Sequence, residues 1–156
     1  METIAQILTL KEVTYEQFKE FLDSLDEERK SWSLDLQHHF TNDREFYEGV
    51  IKNGNPYSIV CVYDNKIIGF CSAYTVDKSI KIIEVSFVVK KEYQGQGIGL
   101  TLLERVEWDA KRLSIKYIVA KHYKDNIASH KVFLKAGYKE SEREDDNHNW
   151  KIKEIA

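Results

Sequence analysis

Three glycines at alternate positions, Gly95, Gly97 and Gly99, separate an apolar run from an amphipathic one, and this arrangement limits what the chain can become more than any other stretch. Before them, Ile80 to Val89 is rich in Ile and Val and carries apolar residues at both parities, the pattern of a strand buried on both faces. After them, Ile98, Leu102, Leu103, Val106, Ala110 and Leu113 recur at helical spacing, while Glu104, Arg105, Glu107, Asp109, Lys111 and Arg112 fill the other side. The order is strand, glycine loop, helix. Without Cβ atoms the backbone can turn sharply, so that successive N–H groups at a helix N-terminus point into one concavity. Gln94-Gly95-Gln96-Gly97-Ile98-Gly99 therefore reads as a phosphate cradle. It is not a P-loop, which needs Gly-Lys-Ser/Thr after four intervening residues. Nor does glycine at 95, 97 and 99 fit the Gly-x-Gly-x-x-Gly dinucleotide fingerprint.

The rest of the chain can be placed around this unit. Residues 3 to 10 read as a first strand. Thr14 with Gln17 forms a capping box for a helix whose stripe is Tyr15, Phe18, Phe21, Leu22 and Leu25, and which ends where the charges Asp26 to Lys30 begin. Ser31 to Phe40 has no clean period and is expected to be a lid. Its His38 and His39 lack the further ligands a metal site needs, and no metal is expected. A second helix, capped by Asn42 or Thr41 with Glu45 as box partner, packs Phe46, Tyr47, Val50 and Ile51 and stops at Asn53-Gly54. From Tyr57 the period becomes that of strands: Tyr57 to Tyr63, a turn at Asp64-Asn65, Lys66 to Tyr74, a turn around Asp77 to Ser79, then the central strand. Beyond the long helix, Tyr117 to Ala120 must lie parallel to the central strand because a helix separates them. A short helix from Asn126 to Ala136 stops at Gly137, and Tyr138 to Ser141 with Asn149 to Ile155 forms a final hairpin across the charged turn Glu142 to His148.

Composition narrows the class. The 156 residues, 42% hydrophobic with one proline, suit a single compact domain over residues 1 to 156. No basic, apolar leader and no run of bilayer length is present in the sequence, so a cytoplasmic protein without a membrane partner is expected. Cys61 and Cys71 are expected to be buried thiols. A net charge of −3 offers no general attraction to nucleic acid and could favour cationic amines.

The pattern Gln-x-x-Gly-x-Gly over residues 94 to 99 resembles the acetyl-CoA loop of the GCN5-related N-acetyltransferases, the GNAT superfamily. A second motif lies downstream, where Asn126, Ser129, Phe133, Gly137 and Tyr138 resemble the family's later helix and its Gly-aromatic end. Together they cover roughly residues 80 to 140. The resemblance implies an α/β (α+β) GNAT fold, with a mixed central sheet of six to seven strands, a splayed parallel pair and about four helices. It implies an N-acetyltransferase that moves acetyl from acetyl-CoA directly to a primary amine of a small molecule or a protein terminus. The alternative is a CoA-binding regulatory or scaffold domain without turnover. Family habit and the apolar residues near the final hairpin and Trp150 also suggest a homodimer.

Carried onto this chain, the resemblance gives the pyrophosphate to the N–H groups of Gln94, Gly95, Gln96, Gly97, Ile98 and Gly99 and to the helix start near Thr101. It gives the pantetheine amides to the backbone of Val88 and Val89, with the Val89 amide or a neighbour as oxyanion donor. Asn126 would hydrogen-bond the cofactor arm or act as a plain helix N-cap, two roles that do not compete. Many members protonate the departing thiolate with a Tyr seven residues after this Asn. Here that residue is Phe133, which has no proton to give and would pack against the thiol end. Ser129, Tyr123 and solvent remain as sources.

An alkylamine with a pKa of about 10.4 must lose a proton before it attacks, at a cost of roughly 4 kcal/mol at neutral pH. Glu84 is the first candidate base. It shares a strand face with Ser86 and Val88, in an apolar run where a carboxylate needs either a role or a partner. His122, four residues before Asn126 at the expected open end of the parallel strand, is the second.

Overall fold

A computed structural model describes residues 4–32, 43–52, 58–77 and 81–155. His38, His39, nearly all of the expected lid, the Thr41 and Asn42 cap and the Asn53-Gly54 stop lie outside the described residues. The sheet has seven strands: β1 (Gln6–Thr9), β2 (Ile59–Tyr63), β3 (Lys66–Asp77), β4 (Ile82–Val89), β5 (Tyr117–Tyr123), β6 (Lys139–Glu144) and β7 (His148–Glu154). Their spatial order is β1-β2-β3-β4-β5-β7-β6, and β4 with β5 is the parallel pair in an otherwise antiparallel sheet. Five α-helices are described: α1 (Tyr15–Ser24), α2 (Glu27–Trp32), α3 (Asp43–Lys52), α4 (Ile98–Arg112) and α5 (Ile127–Lys135). Among the described residues no helix is long and apolar enough to cross a membrane.

Local chemistry accounts for most boundaries. Thr14 and Gln17 make the expected capping box at the start of α1. Asp64 and Asn65, with φ of 51° and 61°, form the tight β2–β3 turn that such residues favour. The first helix ends at its C-cap Leu25, where expected, and two features go beyond the sequence reading. The charges after it start a further helix, α2, because the Asp26 carboxylate accepts from the Arg29 N–H at 2.8 Å and nucleates a new turn. The final hairpin joins the sheet through its second strand, so β7 lies between β5 and β6. This pairing lengthens β5 to Tyr123, since His122 and Tyr123 find cross-strand partners in Asn149 and His148.

The sheet separates two cores. On one face α1 and α3 bring Phe18, Phe21 and Phe46 onto Val60, Val62, Phe70 and Val88. The rings of Phe18 and Phe70 meet edge to face with centroids 5.2 Å apart. On the other face α4 and α5 cover Ile59, Cys61, Cys71, Ile83, Val85, Ile118 and Ala120 with Leu102, Leu103, Val106 and Phe133. Both cysteines are buried and free, as expected. Trp150, offered above as apolar surface for a dimer, is only 3% exposed within the single chain, so it is already spent on intramolecular contact.

A polar network crosses the second core where β5 meets β7. Lys151 is fully buried, and its ammonium lies 2.7 Å from His122 Nε2, 2.5 Å from Asn149 Oδ1 and 3.3 Å from the Glu140 carboxylate. An ammonium can only donate, so Nε2 carries the lone pair and the Nδ1 proton is given to the Tyr123 carbonyl at 2.8 Å. His122 is thereby held neutral. Burial lowers its pKa, reinforced by Lys151 and His130 and opposed by the Tyr123 carbonyl and Glu140. The unfolded chain binds this proton near pH 6.5 and the folded chain does not, so the stabilisation is complete above that pH and is lost as pH falls through the folded pKa. Chemical denaturation of the protein should therefore show a falling midpoint between about pH 7 and pH 5. His122→Gln, which keeps an acceptor for Lys151 but cannot titrate, should flatten that window. A slope that survives the substitution would assign the effect to other groups.

Candidate functional site

The site begins where the parallel pair comes apart. β4 and β5 are paired from Ile82 to Val85 against Tyr117 to Ala120, yet β4 continues to Val89 and β5 to Tyr123. Residues 86–89 and 121–123 thus diverge with backbone groups facing a gap. On the far side of β4 the ladder with β3 runs unbroken to Val89, and the Lys90 N–H donates to the Ile68 carbonyl at 2.9 Å. Alternation along an extended strand then turns the Val89 N–H the other way, toward the gap. An unpaired strand edge of this kind is a template for another extended amide chain.

The gap leads to the N-terminus of α4. Its N-cap is Gly97, with φ of +82°, and no side chain caps the helix or places an acid in its first turn. The first N–H groups of a 15-residue helix are therefore left without intrahelical partners, and its positive dipole end is not neutralised. Gly99 is required for a different reason: a Cβ there would sit 2.7 Å from the Phe87 ring, so only glycine lets the helix start lie against β4. A cavity of about 210 Å³ unites the two features, with Val88, Val89, Gln94, Gly95, Gly97, Ile98, Gly99, Asn126 and Ser129 in its wall. The Asn126 carboxamide oxygen accepts from the Ser129 N–H at 3.1 Å, so Asn126 caps α5 while also facing the cavity.

Three expected residues lie elsewhere. Gln96 is exposed and absent from the wall, and the exposed Thr101 donates its hydroxyl to the Gly97 carbonyl at 2.9 Å. Phe133, 1% exposed, is boxed in by Phe87, His122 and Tyr138 at ring separations of 5.3, 6.0 and 5.2 Å and does not line the cavity.

The wall also holds residues that sequence reasoning missed, chiefly Arg29, Phe87, Tyr93, Val132 and Lys135. Val132 and Lys135 could have been found, because they follow Asn126 and Ser129 at helical spacing. Arg29 carried no signal. It reaches the glycine loop from α2 across 65 residues, donating to Gln94 Oε1 at 2.7 Å while Asp26 holds it at 2.9 Å. Only 6% exposed, it sets a guanidinium beside the cradle.

The candidate bases fall on opposite faces of the sheet. Glu84, half-buried, pairs in register with Tyr74 and Val119 and accepts a hydrogen bond from the Tyr74 hydroxyl. Its face is that of Val88, α1 and α3. His122 faces the other way, beneath α5, with its lone pair occupied by Lys151. Strand alternation puts Tyr123 on the Glu84 face, where its ring lies 4.5 Å from that of His148.

Comparison with known proteins agrees with this geometry. Searched by sequence against curated proteins, the chain matches none. Its fold is shared with an N-acetyltransferase from Staphylococcus aureus Mu50, at a TM-score of 0.77 and 18% identity, over 98% of this chain and 99% of that one. The GNAT domain of PAT from S. lividans aligns with a TM-score of 0.77 and 18% identity over 98% of this chain and 90% of that one. A ribosomal-protein-S5-alanine acetyltransferase from Vibrio fischeri does so with a TM-score of 0.74 and 17% identity, over 99% of this chain and 97% of that one. The sequence pattern of the Acetyltransferase (GNAT) family matches residues 15–138. With that match over most of its length, the parted β4–β5 pair and the uncapped glycine helix, this chain belongs to the GNAT acetyltransferase family.

Proposed function

We propose that the protein transfers the acetyl group of acetyl-CoA to a primary amine. The observation that carries this reading is the continuity of the β4–β5 gap with the uncapped N-terminus of α4 in one cavity. Such a cavity suits a ligand with an amide-bearing arm at one end and phosphates at the other, which is the build of acetyl-CoA. Bound there, it would supply an acyl group activated as a thioester.

The chain's own residues would do the rest. The N–H groups from Gly97 onward, together with Arg29, would hold the phosphates, and Lys135 on α5 stands in the same wall for further negative charge. The Val89 N–H, turned into the gap, would stabilise the charge that develops on the carbonyl oxygen, a contact typically worth about 3 to 4 kcal/mol. Glu84 supports the base role better than His122 does. Its only hydrogen-bond partner among the described residues is the Tyr74 hydroxyl, which leaves the carboxylate further acceptor positions, whereas the His122 lone pair faces the Lys151 ammonium. Five residues separate Glu84 from Val89, about 17 Å along an extended strand, so the proton would pass through ordered water rather than by direct contact. Protonation of the departing thiolate falls to solvent or to Tyr123, whose pKa is raised mainly by burial and which therefore holds its proton at neutral pH.

A second reading, binding of CoA without turnover, is favoured by one observation: the position where many members carry a tyrosine is a phenylalanine sealed in the core. Two measurements separate the readings. Acetyl-CoA at one hundred times its dissociation constant should stabilise the fold by about 2.7 kcal/mol, visible as a rise in Tm, and Gly97→Val should remove that rise by straining the N-cap and filling the cradle. An unchanged Tm with folded protein would reject cofactor binding altogether. Thiol release from acetyl-CoA in the presence of amines should then occur, and Glu84→Gln should reduce it strongly near pH 7 but much less near pH 10, where free amine is abundant. Equal losses at both pH values would remove Glu84 as the base; binding without any thiol release would favour the second reading.

A further inference from the structure

The face of the sheet that carries Glu84 has a second population of side chains that the transfer chemistry does not use. Val119 pairs with Glu84 on one side and Ile152 on the other, so Lys121 on β5 and Trp150 on β7, which pair with each other, project from this same face beside the point where β4 and β5 part. The Trp150 ring lies between two cations, with the Arg143 guanidinium 4.5 Å and the Lys121 ammonium 5.2 Å from its centroid. His148 follows on β7, its ring 5.8 Å from that of Trp150.

Arg143 differs from the other described arginines. Arg29, Arg44, Arg105 and Arg112 each pair with a carboxylate. Among the described residues neither Arg143 nor Lys121 has an ion-pair partner, although Arg143 is exposed and the chain carries more acids than bases. Two nearby acids are engaged elsewhere: Glu84 accepts from Tyr74, and Asp145 accepts from the His148 ring at 3.1 Å and from the Asn147 and His148 N–H groups. Beneath Arg143 the indole N–H of Trp150 and Nε2 of His148 are buried with no hydrogen-bond partner, a state that native structures rarely tolerate without a ligand or water.

The geometry points to an anionic acceptor: a primary amine with a carboxylate a few atoms away, held by Arg143 and Lys121 over Trp150. This rests on the transferase reading above and names its acceptor class. Trp150 stands two strands from β4, about 10 Å across the sheet, and Lys121 one strand, about 5 Å. An amine attacking an acyl group held in the gap would thus have its carboxylate within reach of Lys121 first and Arg143 beyond it. A guanidinium already stacked on an indole is preorganised to receive a carboxylate in bidentate fashion, and a carboxylate drawn there also brings an acceptor oxygen toward the orphaned indole N–H. The overall charge of −3 argued for cationic acceptors; the two cations over Trp150 supply the contrary local contact.

The same chemistry occurs in a free amino acid and at a peptide N-terminus followed by an acidic residue, so both arms are needed. Acetylation of 4-aminobutanoate against 4-aminobutanamide, of a C-terminally amidated Ala-Glu peptide against its Ala-Gln counterpart, and of putrescine should be compared as kcat/KM. In whichever arm turns over, the carboxylate should be preferred over its amide by about tenfold, the size of one charge-assisted hydrogen bond, and Arg143→Gln should bring the ratio close to one. Equal rates for acid and amide, a preference for putrescine, or a ratio that persists in Arg143→Gln would overturn the assignment. If no amine is acetylated, the transferase reading itself fails, and the site is judged by binding. The ¹⁵N–¹H resonance of the Trp150 indole, assigned through Trp150→Phe, should shift with 4-aminobutanoate and not with 4-aminobutanamide. A stationary resonance would overturn the proposal independently of turnover.

Discussion

The structure depends on the loss of hydrogen bonds between β4 and β5 after Val85 and Ala120. A parallel pair in mid-sheet would ordinarily satisfy every backbone group along its length. Here the ladder stops while both strands continue, and the open edges persist because their other sides are anchored, β4 by β3 and β5 by β7. The sheet is thus two antiparallel blocks joined by a short parallel seam. The cost of the unsatisfied groups is borne by the packing on both faces, and the benefit is a slot shaped for an extended amide chain.

Each element around the slot serves the parting or exploits it. Gly99 brings α4 against Phe87, which fixes the helix start at the end of the gap. The glycine N-cap leaves that start open to an anion. α2 delivers Arg29 to the loop, tying that helix to the cradle through Gln94. Beneath α5, the network of Lys151, His122, Asn149 and Glu140 holds β7 to β5 and gives Phe133 a flat partner at 6.0 Å. A buried lysine is tolerated here because its donors all meet acceptors, and removal of any single member would leave a charge or a lone pair stranded.

This division into faces also sorts the chemistry. In the proposed reaction the face of α4 and α5 would serve the donor, and the face of Glu84, Tyr123, Lys121 and Trp150 the acceptor. His122 and Glu84 are both titratable residues beside the seam, yet their places in the strand alternation give them unrelated roles. One stacks under Phe133 of α5, and the other, on the opposite face, is the base of the proposed reaction.

Local chemistry in the sequence determined the strand, glycine loop and helix, the α1 capping box, the β2–β3 turn, the loop residues Gln94, Gly95, Gly97, Ile98 and Gly99, and the Asn126 cap. All of these are set by neighbours within a few positions, where residue type and spacing act directly on the backbone. Tertiary structure alone decided that Arg29 meets Gln94, that Phe133 is sealed away from the cavity, that Lys151 meets His122 Nε2, and that Arg143 and Lys121 enclose Trp150. Each of these contacts depends on strand register and on which strand the hairpin presents to the sheet. A shift of one residue, or the exchange of β6 and β7, would turn the same side chains to the opposite face. The sequence pattern of a short hairpin does not encode that choice, because the partner that settles it, the outer edge of β5, lies more than twenty residues away.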